Sequence, residues 1–354
     1  MSNSYSYKIE NINYFLIFLI VCLHSSLTDF VSNFSLIYNF FRFISVVCDV
    51  AVPCFFLISS YLLYNNYNYS KYPEKLKKRF YSLVIPYFLW STIMYLFYAI
   101  VSNLPMFQGI INENYTSFSI NSAITSIVFA KNAGVIWFIR VLMVFAIISP
   151  IVYFITSKLN KFFNICFILI LCVIIMYINP GYSSFVFWLP VHFMGCFIRK
   201  YFNNINIINK STINNIIMSV LLFCLILIAF FVNNNYSFIY SLYRFLSIFP
   251  VLYLLDIIIL DKKIFNVIDS FFVFCIHIPI IQFVRKVLIK IIGINNFVKC
   301  ILVYVLTIIL TFFLIYLITM IMKKIFSKFY YILIGNRKKV WFYEKTSNIN
   351  NCSQ

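Results

Sequence analysis

Few residues in this chain can move protons, and those few lie inside apolar runs. The stretch Asn13–His24, NYFLIFLIVCLH, begins on an amide and ends on an imidazole. A helix holds the two ~16 Å apart along its axis, about half the hydrocarbon thickness of a bilayer. An ionisable group at that depth is costly and faces a protein interior or a water-filled cavity. Imidazole is also the side chain best suited to proton transfer near neutral pH. His24 is therefore either a core histidine hydrogen-bonded to a neighbouring helix or a general base acting on a weak nucleophile. Asp49, Arg140, Arg244, Asp256 and His277 are likewise embedded in apolar sequence. They read either as ion pairs tying helices together or as parts of a site. Arg244 and Asp256 are too far apart on one helix to pair with each other, so their partners must lie on other helices.

A second kind of chemistry is available at Lys75, Lys77, Lys78 and Arg79. Such a cluster flanking an apolar run orients the run and meets anionic lipid. It can equally grip the phosphates of a soluble donor. Other classes are excluded by what is missing. The chain has 6 glycines and no glycine-rich phosphate loop, and GxSxG and HExxH are absent. None of the 10 cysteines forms a CxxC pair, and most sit in apolar runs, where they read as small hydrophobes; no metal site is expected.

These groups must be positioned by membrane-spanning helices. Of the 354 residues 63% are hydrophobic and 10% charged, against about half and a quarter in soluble domains. The apolar runs are long and continuous, without the alternation of barrel strands. The expected architecture is all-α, a polytopic bundle of about ten transmembrane helices: 12–28, 38–64, 80–101, 135–156, 162–178, 182–198, 212–232, 238–260, 265–289 and 298–322. Residues 103–134 read as the longest polar segment. The first run carries no small-residue cleavage site and reads as a retained helix. The formal net charge of +19 is spread in short clusters between spans, which argues against nucleic acid as partner. Those clusters fall mostly on one side if both termini are cytoplasmic; Arg285, Lys286, Lys290 and Lys299 are the exception. Residues 1–330 form one transmembrane domain and 331–354 a basic cytoplasmic tail, with no soluble domain appended.

Several segments together are similar to the membrane acyltransferase 3 family, whose members O-acetylate surface polysaccharides. The family's first span has an arginine, ten residues and a histidine; here that frame is Asn13 to His24. AVPCFFLISSYLLY from Ala51 and VIPYFLWS from Val84 resemble its second and third spans, with a basic loop between them. GVIWFIRVL from Gly134, WLPVHFMGCFIRK from Trp188 and DSFFVFCIHIPI from Asp269 resemble later motifs, and the likeness covers at least residues 13–280. Asn13 replaces a basic residue, Ser60 a glycine, and Ser82 the second arginine of a basic pair; Val135 stands where a histidine is common.

The resemblance implies transfer of an acyl group, usually acetyl, from cytoplasmic acetyl-CoA or another acyl-CoA to a hydroxyl of a cell-surface or lipid-linked glycan, in the cell membrane. It implies that His24 is the base or a transient acyl carrier and that Asn13 helps position the donor. Lys77, Lys78 and Arg79 would hold CoA phosphates, and Asp49, Trp137, Arg140 and His277 would line the cavity. Two alternatives stay open: a flippase for a lipid-linked sugar, against which the chain shows no internal repeat, and a weakened relative acting as an assembly partner, which Asn13 and Ser82 favour.

Overall fold

The computed structural model describes residues 3–104, 116–202, 205, 208, 210–232, 237–259, 262 and 268–336. Among them every regular element is helical. Helix α1 (Asn3–Ser25) carries the first apolar run. The second run is divided into α2 (Ser35–Asp49) and α3 (Ala51–Leu63). Pro53 causes the division: it has no N–H for the Asp49 carbonyl, so the helix breaks where Asp49 stands. Helix α4 (Tyr72–Arg79) passes through a π-helical turn, Phe80–Val84, into α5 (Ile85–Ser102). Pro86 lies at the end of that turn and cannot bond the Ser82 carbonyl, and wide turns of this kind occur often at functional sites.

The segment expected to be a polar loop contains α6 (Ile120–Val128), with Ser119 as its N-cap. Tyr87 of α5 donates to the Val128 carbonyl at 2.7 Å, and Tyr95 to those of Ser117 and Ser119 at 3.5 and 3.4 Å. Ile120, Ile124 and Val128 form an exposed stripe at helical spacing on its other face. Serines and threonines hid the helix from a reading by hydropathy, although its apolar positions keep the i, i+4 period.

Helices α7 (Trp137–Lys158) and α8 (Lys161–Ile178) follow each other across a two-residue connection, and both pack against α9. The sixth expected span is an irregular stretch, 179–188, followed by the 13-residue α9 (Leu189–Tyr201). Pro180, Gly181 and Pro190 shorten it. Lys200 Nζ nevertheless reaches the Thr156 carbonyl at 2.7 Å, so α9 ends beside the end of α7. The rest of the bundle is α10 (Thr212–Phe231), α11 (Phe238–Leu246), α12 (Ile248–Ile258), α13 (Ser270–Ile292), α14 (Phe297–Ile325) and α15 (Ser327–Leu333). Nine helical stretches among the described residues are long and apolar enough to span a bilayer.

Polarity is arranged inside out. Tyr177, Phe231, Ile291 and Val298 are largely exposed, whereas His192, Ser241, His277 and Thr307 are fully buried. Asp256, expected at membrane depth, lies instead near the end of α12, where Lys8 at 3.0 Å and Lys210 at 2.8 Å share its carboxylate. This one acid gathers α1, α12 and the approach to α10. At the same end of the sequence's apolar core, α15 returns to α5: Trp90 Nε1 donates to the Leu333 carbonyl at 3.2 Å. Gly335, at φ +70°, then lies on the backbone of Ser82, where a Cβ would sit 2.7 Å from its Cα. The tail expected from 331 thus begins inside the bundle; beyond Asn336 it lies outside the described residues.

Helices α3 and α9 approach most closely at Gly195. A Cβ there would sit 2.5 Å from Ser60 Cβ and 2.9 Å from the Tyr61 nitrogen. Gly195→Val is expected to lower stability by ~1–3 kcal/mol through overpacking, read as a lower melting temperature of the purified protein. Ser60→Gly in the same chain should restore only part of the loss, because the Tyr61 backbone remains in the way; full restoration would place the strain at Ser60 alone.

Candidate functional site

His24 stands one residue before the end of α1, half-buried. The neighbouring helix α13 brings His277 against it, with ring centroids 5.3 Å apart and planes at 46°. His277 is fully buried. Its Nδ1 lies 3.1 Å from the Val273 carbonyl and 2.8 Å from that of Phe274. Both are acceptors, so the proton of the neutral ring resides on Nδ1 and Nε2 is left with its lone pair. Nε2 has no hydrogen-bond partner among the described residues. A buried acceptor in that condition is costly, and a second imidazole is packed against the same ring.

The far end of this pair is held by Arg285, two turns along α13. Its Nη1 donates to the carbonyls of His24 at 3.1 Å and Ser26 at 2.7 Å, and its guanidinium stacks on Phe30. A cation on the last carbonyls of a helix complements its dipole and closes α1 at His24. This accounts for Arg285, which broke the charge bias of the sequence. The near end is pinned by Tyr14, which donates to the Ile268 carbonyl, and by Asn11, which donates to that of Lys262 at 2.7 Å. Asn13 is half-buried in the same turn. The helix thus holds Asn13 about three turns from His24, level with the start of α13.

Arg79 occupies a different place. With Ser59, Ser60, Leu83, Leu142 and Phe145 it lines a small cleft between α3, the π-helical turn and α7. Lys77 and Lys78 are not brought to it: both are exposed on α4, and Lys78 pairs with Glu74 at 2.9 Å. Lys75 is structural, since its Nζ caps α3 through the carbonyls of Leu63 at 3.0 Å and Asn65 at 2.6 Å. Behind the cleft lies His192, buried and stacked on Phe145 with centroids 4.1 Å apart. Its Nδ1 is 2.9 Å from Ser60 Oγ and its Nε2 is 2.9 Å from Tyr64 Oη.

A third group surrounds Asp49 at the α2–α3 break. Arg244 Nε donates to Oδ2 at 2.8 Å, and Tyr182 Oη to Oδ1 at 3.1 Å. The Arg244 guanidinium also lies over the rings of Tyr182 and Tyr240, at 4.2 and 4.6 Å. Trp137 joins this group through Tyr182, centroid to centroid 5.2 Å. As expected, Arg244 and Asp256 do not pair with each other: Arg244 meets Asp49 at the end of α2, and Asp256 meets Lys8 on α1 and Lys210 just before α10. Arg140, half-buried on α7, stands near Tyr87 and makes no hydrogen bond or ion pair among the described residues.

Of the nine residues singled out, His24 and His277 meet directly, and Asp49 and Trp137 meet through Tyr182. Arg79 belongs to the separate cleft. A row of aromatic contacts joins the two regions: Phe145 to Phe56 at 5.8 Å, Phe56 to Phe138 at 4.5 Å, Phe138 to Phe274 at 5.5 Å, and Phe274 to His277 at 6.2 Å. Reading the sequence missed His192, Arg285 and Tyr182. His192 carried a signal, as one of 3 histidines and set in the apolar WLPVHFMGCF, and Arg285 carried one as an exception to the charge bias; Tyr182 carried none.

The Asp49–Arg244 pair is held by geometry that each partner needs. Asp49→Ala is expected to cost ~3–5 kcal/mol by leaving a buried guanidinium uncompensated, while Asp49→Leu with Arg244→Met should cost much less. Thermal unfolding of the three variants checks this, and a double variant as unstable as the single one would mean that the pair does more than neutralise itself.

No curated protein and no solved structure matches the chain. The model of the acyltransferase domain family Acyl_transf_3 matches residues 6–320. The embedded imidazoles, the basic cleft and the helical bundle of this multi-pass membrane protein thus have a common setting: the chain belongs to the acyltransferase 3 family.

Proposed function

We propose that the protein is a membrane O-acyltransferase that moves an acyl group, acetyl in the first instance, from acyl-CoA to a hydroxyl of a cell-surface or lipid-linked glycan. The observation that carries this reading is the His24–His277 pair, with an unpartnered Nε2 on His277. A sugar hydroxyl is a weak nucleophile at neutral pH, and a positioned imidazole is the commonest remedy. In this reading His24 takes the proton of the acceptor hydroxyl. His277 Nε2 accepts a hydrogen bond from the His24 ring once it is protonated, and Arg285 holds the end of α1 in register.

The donor enters from the side of Arg79. Its phosphates are too strongly hydrated to pass into the bundle, and a guanidinium at the mouth of a cleft matches them in charge and geometry. Both chain termini and this mouth are assigned to the cytoplasmic side of the cell membrane, where CoA thioesters are made, and the acceptor comes from the opposite side. Asn13 cannot supply positive charge to the donor. Arg79 and the half-buried Arg140 are the cations placed to do so.

His24→Ala is expected to lower acylation of the surface glycan by ~10²-fold or more, the usual worth of a general base. Mass analysis of glycans from cells carrying wild-type or variant protein at equal abundance measures it, and unchanged acylation would remove His24 from the mechanism. Arg79→Ala should chiefly raise the apparent KM for acyl-CoA, by ~10-fold, while Lys77→Ala and Lys78→Ala change it little. An equal effect of all three would locate donor binding on the exposed face of α4 instead.

A further inference from the structure

We infer that the acceptor is an anionic glycan, whose carboxylate or phosphate groups are held by Lys286, Lys290 and Lys299 at the outer mouth above His24. This rests on the acyltransferase reading and the orientation given above, and narrows the acceptor to a chemical class.

The inference starts from charge on the side where it opposes insertion. With both termini cytoplasmic, the α13–α14 hairpin lies on the outer side, where lysine and arginine run against the usual bias. Little acid is there to balance them: Asp29 is the one carboxylate among the described residues of the outer connections. Two of the outer cations are used by the fold. Arg285 closes α1, and Arg42 Nη2 donates to the carbonyls of Phe230 and Val232 at 2.6 and 3.2 Å. Lys290 and Lys299 are not used in this way. No hydrogen bond or ion pair joins the Nζ of either to a described residue. Lys290 is exposed, and Lys286 and Lys299 are half-buried.

These lysines lead back to the imidazoles. Beyond His277 the polar residues of α13 other than Arg285 are Gln282, Lys286 and Lys290, which recur at i, i+4 and i+8 and make one ridge along the helix. Gln282 begins the ridge. Its Oε1 accepts from Tyr98 of α5 at 2.9 Å, and its amide N–H groups have no partner among the described residues. Lys299 is the third residue of α14, which follows α13 across the four-residue connection 293–296 and packs against it. The ridge therefore ends beside the start of α14. Arg285 bonds the His24 carbonyl at 3.1 Å, which sets the end of α1 level with Lys286. Lys286 is nine residues from His277, ~13 Å along the helix axis.

That is the span of a short oligosaccharide. A glycan laid on the ridge brings one hydroxyl to His24, bonds another through Gln282 and sets its anionic groups against the lysines. An ammonium is a compact, strongly hydrated charge that takes carboxylate and phosphate alike, so the class is an anion and not one acid. A site for anionic phospholipid would need only the headgroup level. Gln282, held by Tyr98 and leading inward, is the part of the ridge that a headgroup leaves unused.

The test measures binding to full-length protein in nanodiscs of phosphatidylcholine, which carries no net charge. The probes are fluorescent oligosaccharides of equal length: a uronate, a phosphodiester-linked glycan and a neutral glucan. Both anionic probes are expected to bind at least ~10-fold tighter than the glucan and to lose at least ~10-fold in the triple variant Lys286→Gln, Lys290→Gln, Lys299→Gln. High salt should shrink that difference by screening. Lys77→Gln with Lys78→Gln removes cations from the opposite face and should change nothing. Gln282→Leu should weaken all the probes, the neutral one included, which a general attraction of charge would not do. Melting temperatures confirm that each variant is folded. Equal binding of the glucan, or full affinity in the triple variant, overturns the inference. So does a triple variant that retains less phosphatidylglycerol in mixed nanodiscs yet binds the uronate as wild type does, since the lysines are then a lipid site. Failure of the acyltransferase reading looks different: wild-type protein binds the anionic probes through the lysines but releases no CoA thiol with any acceptor, which upholds the anionic site and removes that reading.

Discussion

One constraint shapes the interior: a polar group enclosed by helices whose outer faces are apolar must find its partner inside the protein. Asp49 has Arg244 and Tyr182. The carbonyl freed by Pro150 has Ser149, and the last carbonyls of α1 have Arg285. Each of these satisfied groups also fixes the relation of two helices or two turns. The rule is not met everywhere, since hydroxyls such as those of Ser91, Ser241 and Thr311 are also buried without a hydrogen-bond partner among the described residues. The Nε2 of His277 is left as a bare acceptor with another imidazole against it. Structure alone would tend to remove such a group, because replacing it by a well-packed apolar side chain would cost little or nothing.

The backbone irregularities follow from proline and lie where the polar groups are. Pro53 breaks the second span at Asp49, Pro86 closes the wide turn beside Arg79, and Pro150 places Ser149 under Tyr64 and Tyr67. The 13-residue α9, shortened by Pro180 and Pro190, brings His192 to Ser60. A regular helix satisfies its own backbone and presents only side chains; an interrupted one also offers carbonyls and close approach to its neighbours.

Much of this was legible in the residues. Continuous apolar runs give the helices, because in lipid each segment must satisfy its backbone alone, and the family motifs mark His24, His277 and Arg79 one by one. Pairing was not legible. Nothing in the order of residues says that α13 lies beside α1, so His24 and His277 could be named separately but not together. The basic cluster was legible as charge and misleading as a unit: Lys75 caps α3, Lys77 and Lys78 face outward, and Arg79 alone turns into the cleft. Helix α6 was hidden because serine and threonine lowered its hydropathy while leaving its period intact.

The departures from the family pattern bear on whether this chain is a decayed relative. Decay would leave gaps, since a residue lost without a function to preserve has no partner selected to match it. Two departures here come with partners. Ser60, in place of a glycine, is bonded to His192, and the glycine needed for helix contact stands across from it as Gly195. At Ser82, in place of an arginine, the C-terminal turn lies on the backbone through Gly335, whose φ of +70° suits glycine. Of the polar departures Asn13 is the one without a visible counterpart, and it sits about three turns from the imidazole pair and not within it. The departures at Ser60 and Ser82 are therefore matched by their surroundings, and the unmatched one lies away from the imidazole pair.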